Sequence, residues 1–256
     1  MQTTSIPEDI IGTKFAADVK RRSSQYLLIA RENITSYTDG TIIRDEKAES
    51  LRNGLLILMA RLHPHPSVAV TIRTDPASGL RSLTNDETLR RYNIKLELGE
   101  PKNINKNPIA ESAIGELDSE LRRLQPLGGK ITETTLARAI GNMNNLIRHN
   151  KLTAAEAWTK RDRASGDQID IPNSELIKMK YNQRINNHES SAKHKSRGKV
   201  KSPYPKISVG QLVFLYSDYS KEKSRDKYMV LEVEDEHVWV KKFTNTQFRN
   251  RQYKKY

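Results

Sequence analysis

Three acidic residues, Asp18, Asp75 and Glu111, each lie on or beside a predicted element of regular structure. Carboxylates that converge with few cations nearby need a metal ion to neutralise them, and oxygen ligands favour Mg²⁺ or Mn²⁺. Two such ions about 3.5–4 Å apart can activate an attacking oxygen and stabilise a leaving one in phosphodiester displacement. The three acids therefore predict a metal-dependent phosphoryl-transfer site. The simpler interpretation is three ordinary surface acids.

The segment "NKNPIAESAIGELDSEL" (105–121) predicts the amphipathic helix that carries Glu111. Asn107 suits the N-cap of this helix, and Pro108 suits its first position. Apolar residues recur at helical spacing in the segment: Ile109, Ala113, Leu117 and Leu121. Glu111 is offset from that stripe. It either complements the helix dipole or serves as a metal ligand.

The elements that must position these acids follow the order βββαβαβα in the first half of the chain. An antiparallel meander comes first, and a right-handed crossover then returns the chain to a fourth strand beside the first. Asp18 lies on the first of these strands and Asp75 ends the fourth. The order therefore predicts an α/β fold with a mixed sheet, in which the two aspartates are close neighbours.

The positive charge of the chain is concentrated in its last third. The formal net charge is +13 over 256 residues, and residues 176–256 hold 19 Lys and Arg against 8 Asp and Glu. A strongly basic segment favours a polyanion as partner. No apolar run approaches the ~20 residues of a membrane span, so a membrane partner is not expected.

The sequence contains no cysteine, which excludes disulfides, thiol catalysis and cysteine-type zinc sites. This composition is typical of an intracellular protein, and the N-terminus lacks the pattern of a secretory signal. A polar helix over residues 173–188 is predicted to lead into a flexible basic linker ending at residue 206. Short β-patterns from "QLVFLYS" to "QFRNRQYKKY" then predict a small all-β barrel.

Several segments together resemble the integrase region of LTR-retrotransposon polyproteins, of the gypsy-like or retroviral type. They are "FAADV", "RTDPASGL", "NINKNPIAESAIGELDSELRR", "LTAAEAWTKRD" and "VGQLVFLYSD…RDKYMVLEV". The resemblance covers nearly the whole chain. It includes the three acids in order, the thirty-five residues between Asp75 and Glu111, and the basic segment behind them.

The resemblance implies an RNase H-like catalytic core over residues 10–165, a helical and basic linker over 166–206, and an SH3-like DNA-binding barrel over 207–256. Asp18 would bridge two Mg²⁺ or Mn²⁺ ions, and Asp75 and Glu111 would each hold one. The implied enzyme is a DDE-type polynucleotidyl transferase that trims the 3′ ends of linear element DNA and joins them to target DNA. Its partners would be double-stranded DNA and further copies of the chain, in the nucleus.

Some features depart from the family pattern. Pro76 follows the second aspartate directly, and the first glycine after it is Gly79. Gly115 and Asp118 stand where retroviral members often have lysines that grip DNA. A chain without cysteine also lacks the zinc-binding domain that usually lies upstream, either because it is absent or because it was removed.

Two groups of residues are predicted to contact DNA. The first precedes Glu111 and comprises Lys102, Asn103, Asn105 and Lys106. This segment is either the mobile DNA-end loop of the family or a solvated polar loop. The second group follows the polar helix and comprises Lys193, Lys195, Arg197, Lys199, Lys201 and Lys206. These cations would neutralise phosphates without reading sequence, although a nuclear-import signal or a bare linker has the same composition.

Two other functions are compatible with the same residues. A relic or domesticated copy could have lost catalysis and serve as a DNA-binding module. An RNase H-type nuclease would share the core but would not need the basic barrel.

Overall fold

The first five strands of the protein build one mixed sheet. Their bounds are β1 (Lys14–Arg22), β2 (Gln25–Glu32), β3 (Thr38–Ile43), β4 (Val70–Thr74) and β5 (Ile94–Leu98). In this computed structural model the strand order is β3-β2-β1-β4-β5. The pairs β1–β2 and β2–β3 are antiparallel, whereas β1–β4 and β4–β5 are parallel. The fourth strand lies beside the first, so the predicted mixed α/β sheet is confirmed.

The structure describes residues 10–63, 67–99, 107–148, 151–196, 207–215, 226–234, 237–244 and 247–255. The helices of these segments are α1 (Ala48–Leu62), α2 (Ser78–Ser82), α3 (Glu87–Arg91), α4 (Pro108–Leu124), α5 (Glu133–Asn144), α6 (Ala154–Thr159) and α7 (Asn173–Ser196). None of them is long and apolar enough to cross a membrane.

Helices cover both faces of the mixed sheet because successive side chains of a strand point to opposite faces. On one face, Phe15 and Ala17 of β1 and Leu28 of β2 pack with the apolar side of α1. On the other face, Leu27 and Ile29 of β2 pack with α4 and α5. Two separate hydrophobic cores result, and α4 is held against the face of β1 that carries the even-numbered residues.

Helix α7 is longer than the sequence pattern predicts. It continues past His188 to Ser196, into the segment predicted as flexible linker. The extension contains no glycine or proline before Gly198, and its alanine and lysines are good helix formers. At its other end, Leu176 of α7 is buried against Ile34 and Ala157. The helix is therefore attached to the core at its N-terminal end.

The basic C-terminal part forms a second sheet with its own apolar cluster. Its strands are β6 (Leu212–Phe214), β7 (Lys227–Val233), β8 (Val238–Thr244) and β9 (Gln247–Lys255), all antiparallel in the order β6-β7-β8-β9. Tyr228, Val230 and Val240 are its buried residues. An antiparallel β unit is thus present, while its closure into an SH3-like barrel stays a prediction.

Candidate active site

The parallel pairing of β1 with β4 places Asp18 and Asp75 at the same level. Lys14 pairs with Thr71 and Ala16 pairs with Arg73, and extending this register brings Asp18 level with Asp75. Asp75 follows directly after the end of β4. The backbone N–H of Val19 donates a hydrogen bond of 2.7 Å to Oδ1 of Asp18 and so orients that carboxylate. The neighbourhood of the two aspartates agrees with the strand order predicted from the sequence.

Asn107 connects helix α4 to both of these strands. Its Nδ2 donates hydrogen bonds to the carbonyl of Ala17 at 2.9 Å and to the carbonyl of Arg73 at 3.2 Å. Asn107 is the N-cap residue of α4, as predicted, but its side chain makes no capping hydrogen bond. The backbone does open the helix, because the N–H of Glu111 donates to the carbonyl of Asn107 at 3.0 Å. One buried amide thus fixes the start of α4 beside Asp18 and Asp75.

The electrostatics of Asp18 reflect this crowding of acids. Burial, together with repulsion from Asp75, Glu111 and Glu46, raises the pKa of Asp18 to about 6. The hydrogen bond from Val19 opposes it. The fold therefore brings the three predicted acids within electrostatic reach of one another, together with a fourth acid that the sequence reading did not select.

Oxygen ligands in this arrangement fit a divalent cation. Oδ1 of Asp75 is buried and has no hydrogen-bond partner within the described segments, and neither has Oδ1 of Asn107. A buried carboxylate oxygen without a donor is costly unless something positive satisfies it. Glu111 is exposed at the first turn of α4. The chemistry of the donor set is that of a Mg²⁺ or Mn²⁺ site.

The acids do not converge into a finished metal cage. Among the described residues, no three His, Cys, Asp or Glu side chains gather closely enough to hold a metal ion. The assignment of Asp18, Asp75 and Glu111 as catalytic metal ligands stays a prediction.

Glu46 was missed because it lies in the polar approach to α1, outside any periodic pattern. The segment that carries it is packed against the start of α2. A Cβ added to Gly79 would lie 2.3 Å from the carbonyl oxygen of Glu46 and 2.7 Å from Cδ1 of Leu51. Only glycine allows this approach, so the displaced glycine after Asp75 has a packing role. It holds the Glu46 segment near the acids.

Asp118 on α4 points into the protein. It is 7% exposed, and its carboxylate forms an ion pair of 2.8 Å with Nζ of Lys20. Lys20 lies two residues after Asp18 on β1, on the same face of the strand. This pair ties α4 to β1. The open position on the outer side of α4 is instead Gly115, whose missing side chain would meet nothing within 4 Å.

Most of the residues predicted to bind DNA lie outside the described segments. These are Lys102, Asn103, Asn105, Lys106, Arg197, Lys199, Lys201 and Lys206. Lys193 and Lys195 belong to the backbone of α7, but the structure does not describe their side chains. Their contacts with DNA stay predictions.

Comparison with solved structures finds proteins of similar fold. No protein-family model and no curated protein sequence matches the chain. The crystal structure of the catalytic core domain of BIV integrase, in crystal form I, aligns with a TM-score of 0.49 and 17% sequence identity. The alignment covers 58% of this chain and 94% of that one.

Proposed function

We propose that this protein is a retroelement integrase, a DDE-type polynucleotidyl transferase that acts on double-stranded DNA. The observation that carries the proposal is the crowding of Asp18 by Asp75 and Glu111, with the pKa of Asp18 raised to about 6. An acidic cluster beside an unsatisfied carboxylate oxygen is poorly suited to a purely structural role. The mixed sheet with its β1–β4 neighbourhood supports an RNase H-like core.

Asp18 would bridge two Mg²⁺ or Mn²⁺ ions, and Asp75 and Glu111 would each hold one of them. When bound, the two ions supply charge that lowers the pKa of the attacking hydroxyl and stabilises the leaving oxygen. The chain itself supplies position. The N–H of Val19 orients the carboxylate of Asp18. The amide of Asn107 keeps the start of α4, and with it Glu111, against both strands.

The proposed reaction has two phosphodiester displacements. In end trimming, the oxygen of a water bonds to phosphorus and the bond from phosphorus to the 3′ oxygen breaks, which leaves a free 3′-hydroxyl. In strand joining, that 3′ oxygen bonds to a phosphorus of target DNA, and the target's own 3′ oxygen leaves with a proton. One P–O bond forms and one breaks in each step, so no covalent protein intermediate is required.

The remaining parts of the proposal concern DNA binding and assembly. We assign the basic C-terminal sheet to an SH3-like DNA-binding barrel, and both predicted cationic groups to contacts with DNA phosphates. Two DNA ends must be joined to one target, so several copies of the chain would act together on DNA. The place of action would be the nucleus.

A cleavage and joining assay tests the proposal. The wild-type protein is incubated with Mn²⁺ and a blunt duplex that mimics an element end, and trimmed and joined products are separated on a denaturing gel. We expect both products from the wild type and a loss of roughly 10²–10³-fold in Asp75→Asn, the scale seen when one charge-stabilising group is removed. Glu87→Gln is the control, because Glu87 is an exposed acid on α3. Cleavage that persists in Asp75→Asn would refute the assignment.

A DNA-binding module without catalysis is the second candidate. The observation that favours it is the open arrangement of the acids, since no metal-holding group of three lies among the described residues. The same assay separates the two functions. Duplex binding without trimming or joining in Mn²⁺ or Mg²⁺ would favour the binding module over the enzyme.

A further inference from the structure

A large cleft opens beside the acids, on the α4 side of the mixed sheet. Its volume is about 980 Å³, at the upper end of the ~300–1,000 Å³ range of ligand pockets. Six cationic residues line it: Lys14, Arg31, Arg73, Arg148, Lys180 and Arg184. We call it the basic cleft. Its acidic lining residues are Glu97 and Glu116, so cations outnumber acids by six to two.

Glu116 is already engaged by the protein's own arginines. Its carboxylate accepts two hydrogen bonds from Arg31, at 2.9 and 2.7 Å, and one from Arg148 at 3.1 Å. Although burial acts to raise it, the pKa of Glu116 falls to about 2 because Arg31 and Arg148 stabilise the anion. Glu116 therefore fixes two arginines in place.

Lys180 lies close to other cations of the basic cleft. Its Nζ donates a hydrogen bond of 2.8 Å to Oγ of Ser36, a neutral hydroxyl. Burial, together with repulsion from Arg184, Arg148 and Arg31, lowers the pKa of Lys180 to about 8 against a smaller opposing attraction from Glu32. A cation that is buried among three arginines is stabilised by a multivalent anion that touches several of them at once.

The basic cleft lies directly beside the acids. Its lining includes Ala16, Arg73 and Asn107. Ala16 lies two residues before Asp18 on the same face of β1, and Arg73 stands in the same relation to Asp75. Asn107 bonds to both strands and opens the helix of Glu111. A chain that is held in the cleft would therefore pass directly beside the acids.

We propose that the basic cleft binds the phosphodiester backbone of a polynucleotide and guides it to the acids. This inference rests on the proposed function, since it gives the substrate of that site a path along the protein. Arginine and lysine side chains hold successive phosphates. The amides of Asn33, Gln183 and Asn187 also line the cleft and can donate hydrogen bonds to phosphate, sugar or base oxygens.

Salt-dependent binding tests the inference without requiring any catalysis. Fluorescence anisotropy is measured in EDTA with labelled duplex and single-stranded oligonucleotides, for the wild type and the double variant Lys180→Met/Arg184→Gln. The slope of log K against log[salt] should become shallower by about 1.8 for the duplex or about 1.4 for the single strand. Affinity at about 0.1 M salt should fall tenfold or more.

Lys130→Gln/Arg138→Gln is the matched control variant. It also removes two positive charges, and both residues are exposed near or on α5, outside the lining of the basic cleft. We expect its slope and affinity to match the wild type, with thermal melts verifying that both double variants fold. Equal losses in the two double variants would overturn the inference, because binding would then follow overall charge.

A cross-linking experiment locates the nucleic acid directly and avoids charge changes. Since the sequence has no cysteine, Gln183→Cys creates a single thiol in the basic cleft, and Lys130→Cys creates one outside it. Oligonucleotides with a disulfide-activated tether on the backbone should link to the first variant several-fold faster than to the second. Equal rates would overturn the inference.

The outcomes also separate this inference from the proposed function. Selective loss of binding in the cleft variant, together with a wild type that cleaves nothing in Mn²⁺, would retain the cleft and reject the enzyme. The opposite result is Mn²⁺-dependent cleavage by the wild type, with Lys180→Met/Arg184→Gln binding and Gln183→Cys cross-linking no differently from their controls. That result would retain the enzyme and reject the cleft.

Discussion

The acids and the basic cleft adjoin each other on one face of the mixed sheet, yet their electrostatics are opposite. Burial and neighbouring acids raise the pKa of Asp18 to about 6. Burial and neighbouring arginines lower the pKa of Lys180 to about 8. Each region therefore gathers like charges that oppose folding, and a ligand of opposite charge would relieve each of them. Under the proposed function, cations would satisfy the acids and phosphates would satisfy the cleft.

A third buried charge shows that burial alone does not indicate a function. Burial also raises the pKa of Glu32, but its carboxylate accepts hydrogen bonds from the N–H groups of Gly12, Ile34 and Thr35 and from the hydroxyl of Thr35. Those donors hold the turn after β2 in place. Glu32 differs from Asp18 and Lys180 because hydrogen-bond donors within the protein already satisfy its charge.

The residue that positions the acids should affect both activity and stability. Asn107→Ala should reduce metal-dependent cleavage about 10–100-fold, as the loss of a residue that orients metal ligands does. It should also lower the free energy of unfolding by about 1–3 kcal/mol, because two carbonyls lose their donor. Asn144→Ala is the control, since Asn144 bonds the N–H and carbonyl of Thr38 at 2.9 and 2.8 Å, away from the acids. It should lose stability without losing activity per folded molecule.

Neutralising Asp18 should separate stability from activity. A pKa shift from 3.8 to about 6 corresponds to about 3 kcal/mol at most, and partial exposure reduces it. We expect Asp18→Asn to raise the free energy of unfolding by about 1–2 kcal/mol at pH 7 in EDTA. The same variant should lose metal-dependent cleavage. Because the folded state binds this proton more tightly, wild-type stability should fall as pH rises from about 4 to about 6. Urea titrations across that range measure both effects, and a destabilised Asp18→Asn would contradict them.

The basic cleft should show the opposite pH dependence, with stability that rises with pH in the alkaline range. The folded state releases the proton of Lys180 at about pH 8, while the unfolded chain keeps it to about 10.5. The contribution of Lys180 to stability should therefore rise between those values. Lys180→Met should remove this rise and stabilise the protein by about 1–2 kcal/mol at pH 7, since methionine fills the space without the charge. A difference titration against the wild type would contradict the comparison if it were flat.

The smallest effect is expected at the outer side of α4. Gly115 has open space around it, so Gly115→Lys should stabilise the helix by about 0.5–1 kcal/mol. It would place a cation one turn after Glu111, where the chain otherwise presents acids. The slope of log K for duplex binding against log[salt] should steepen by about 0.9 if that side of the acids faces DNA. Gly115→Gln is the control for helix propensity, and an identical slope in both variants would place DNA elsewhere.

Local patterns were enough to predict the order of the strands and the neighbourhood of Asp18 and Asp75. Both depend on the alternation within β1 and β4 and on the handedness of one crossover. The roles of Asn107 and Asp118 were not predictable in this way. Pairing of β1 with β4 ends at Ala16 and Arg73, and the carbonyls near that end take a donor from Asn107, a residue far away in sequence.

The basic cleft could not be predicted because it, too, depends on contacts between residues far apart in sequence. Arg31 lies in a strand pattern, Arg148 comes after a helix and Lys180 lies in a polar helix. The local sequence around each of them is typical of a solvated charge. Only their packing around Glu116 and Ser36 brings these cations together. The helical extension to Ser196 is not evident from the sequence because its low apolar content is typical of a linker, although its residues have good helix propensity.

The sequence by itself determined the class of fold, the basic character of the chain and the acids that could act on phosphodiesters. These properties follow from residue types and from spacing along short stretches of backbone. The tertiary structure alone decided which charges share a low-dielectric environment. Long-range packing set Asp18 among acids and Lys180 among arginines, and burial strengthens each repulsion beyond what the same charges would feel in water.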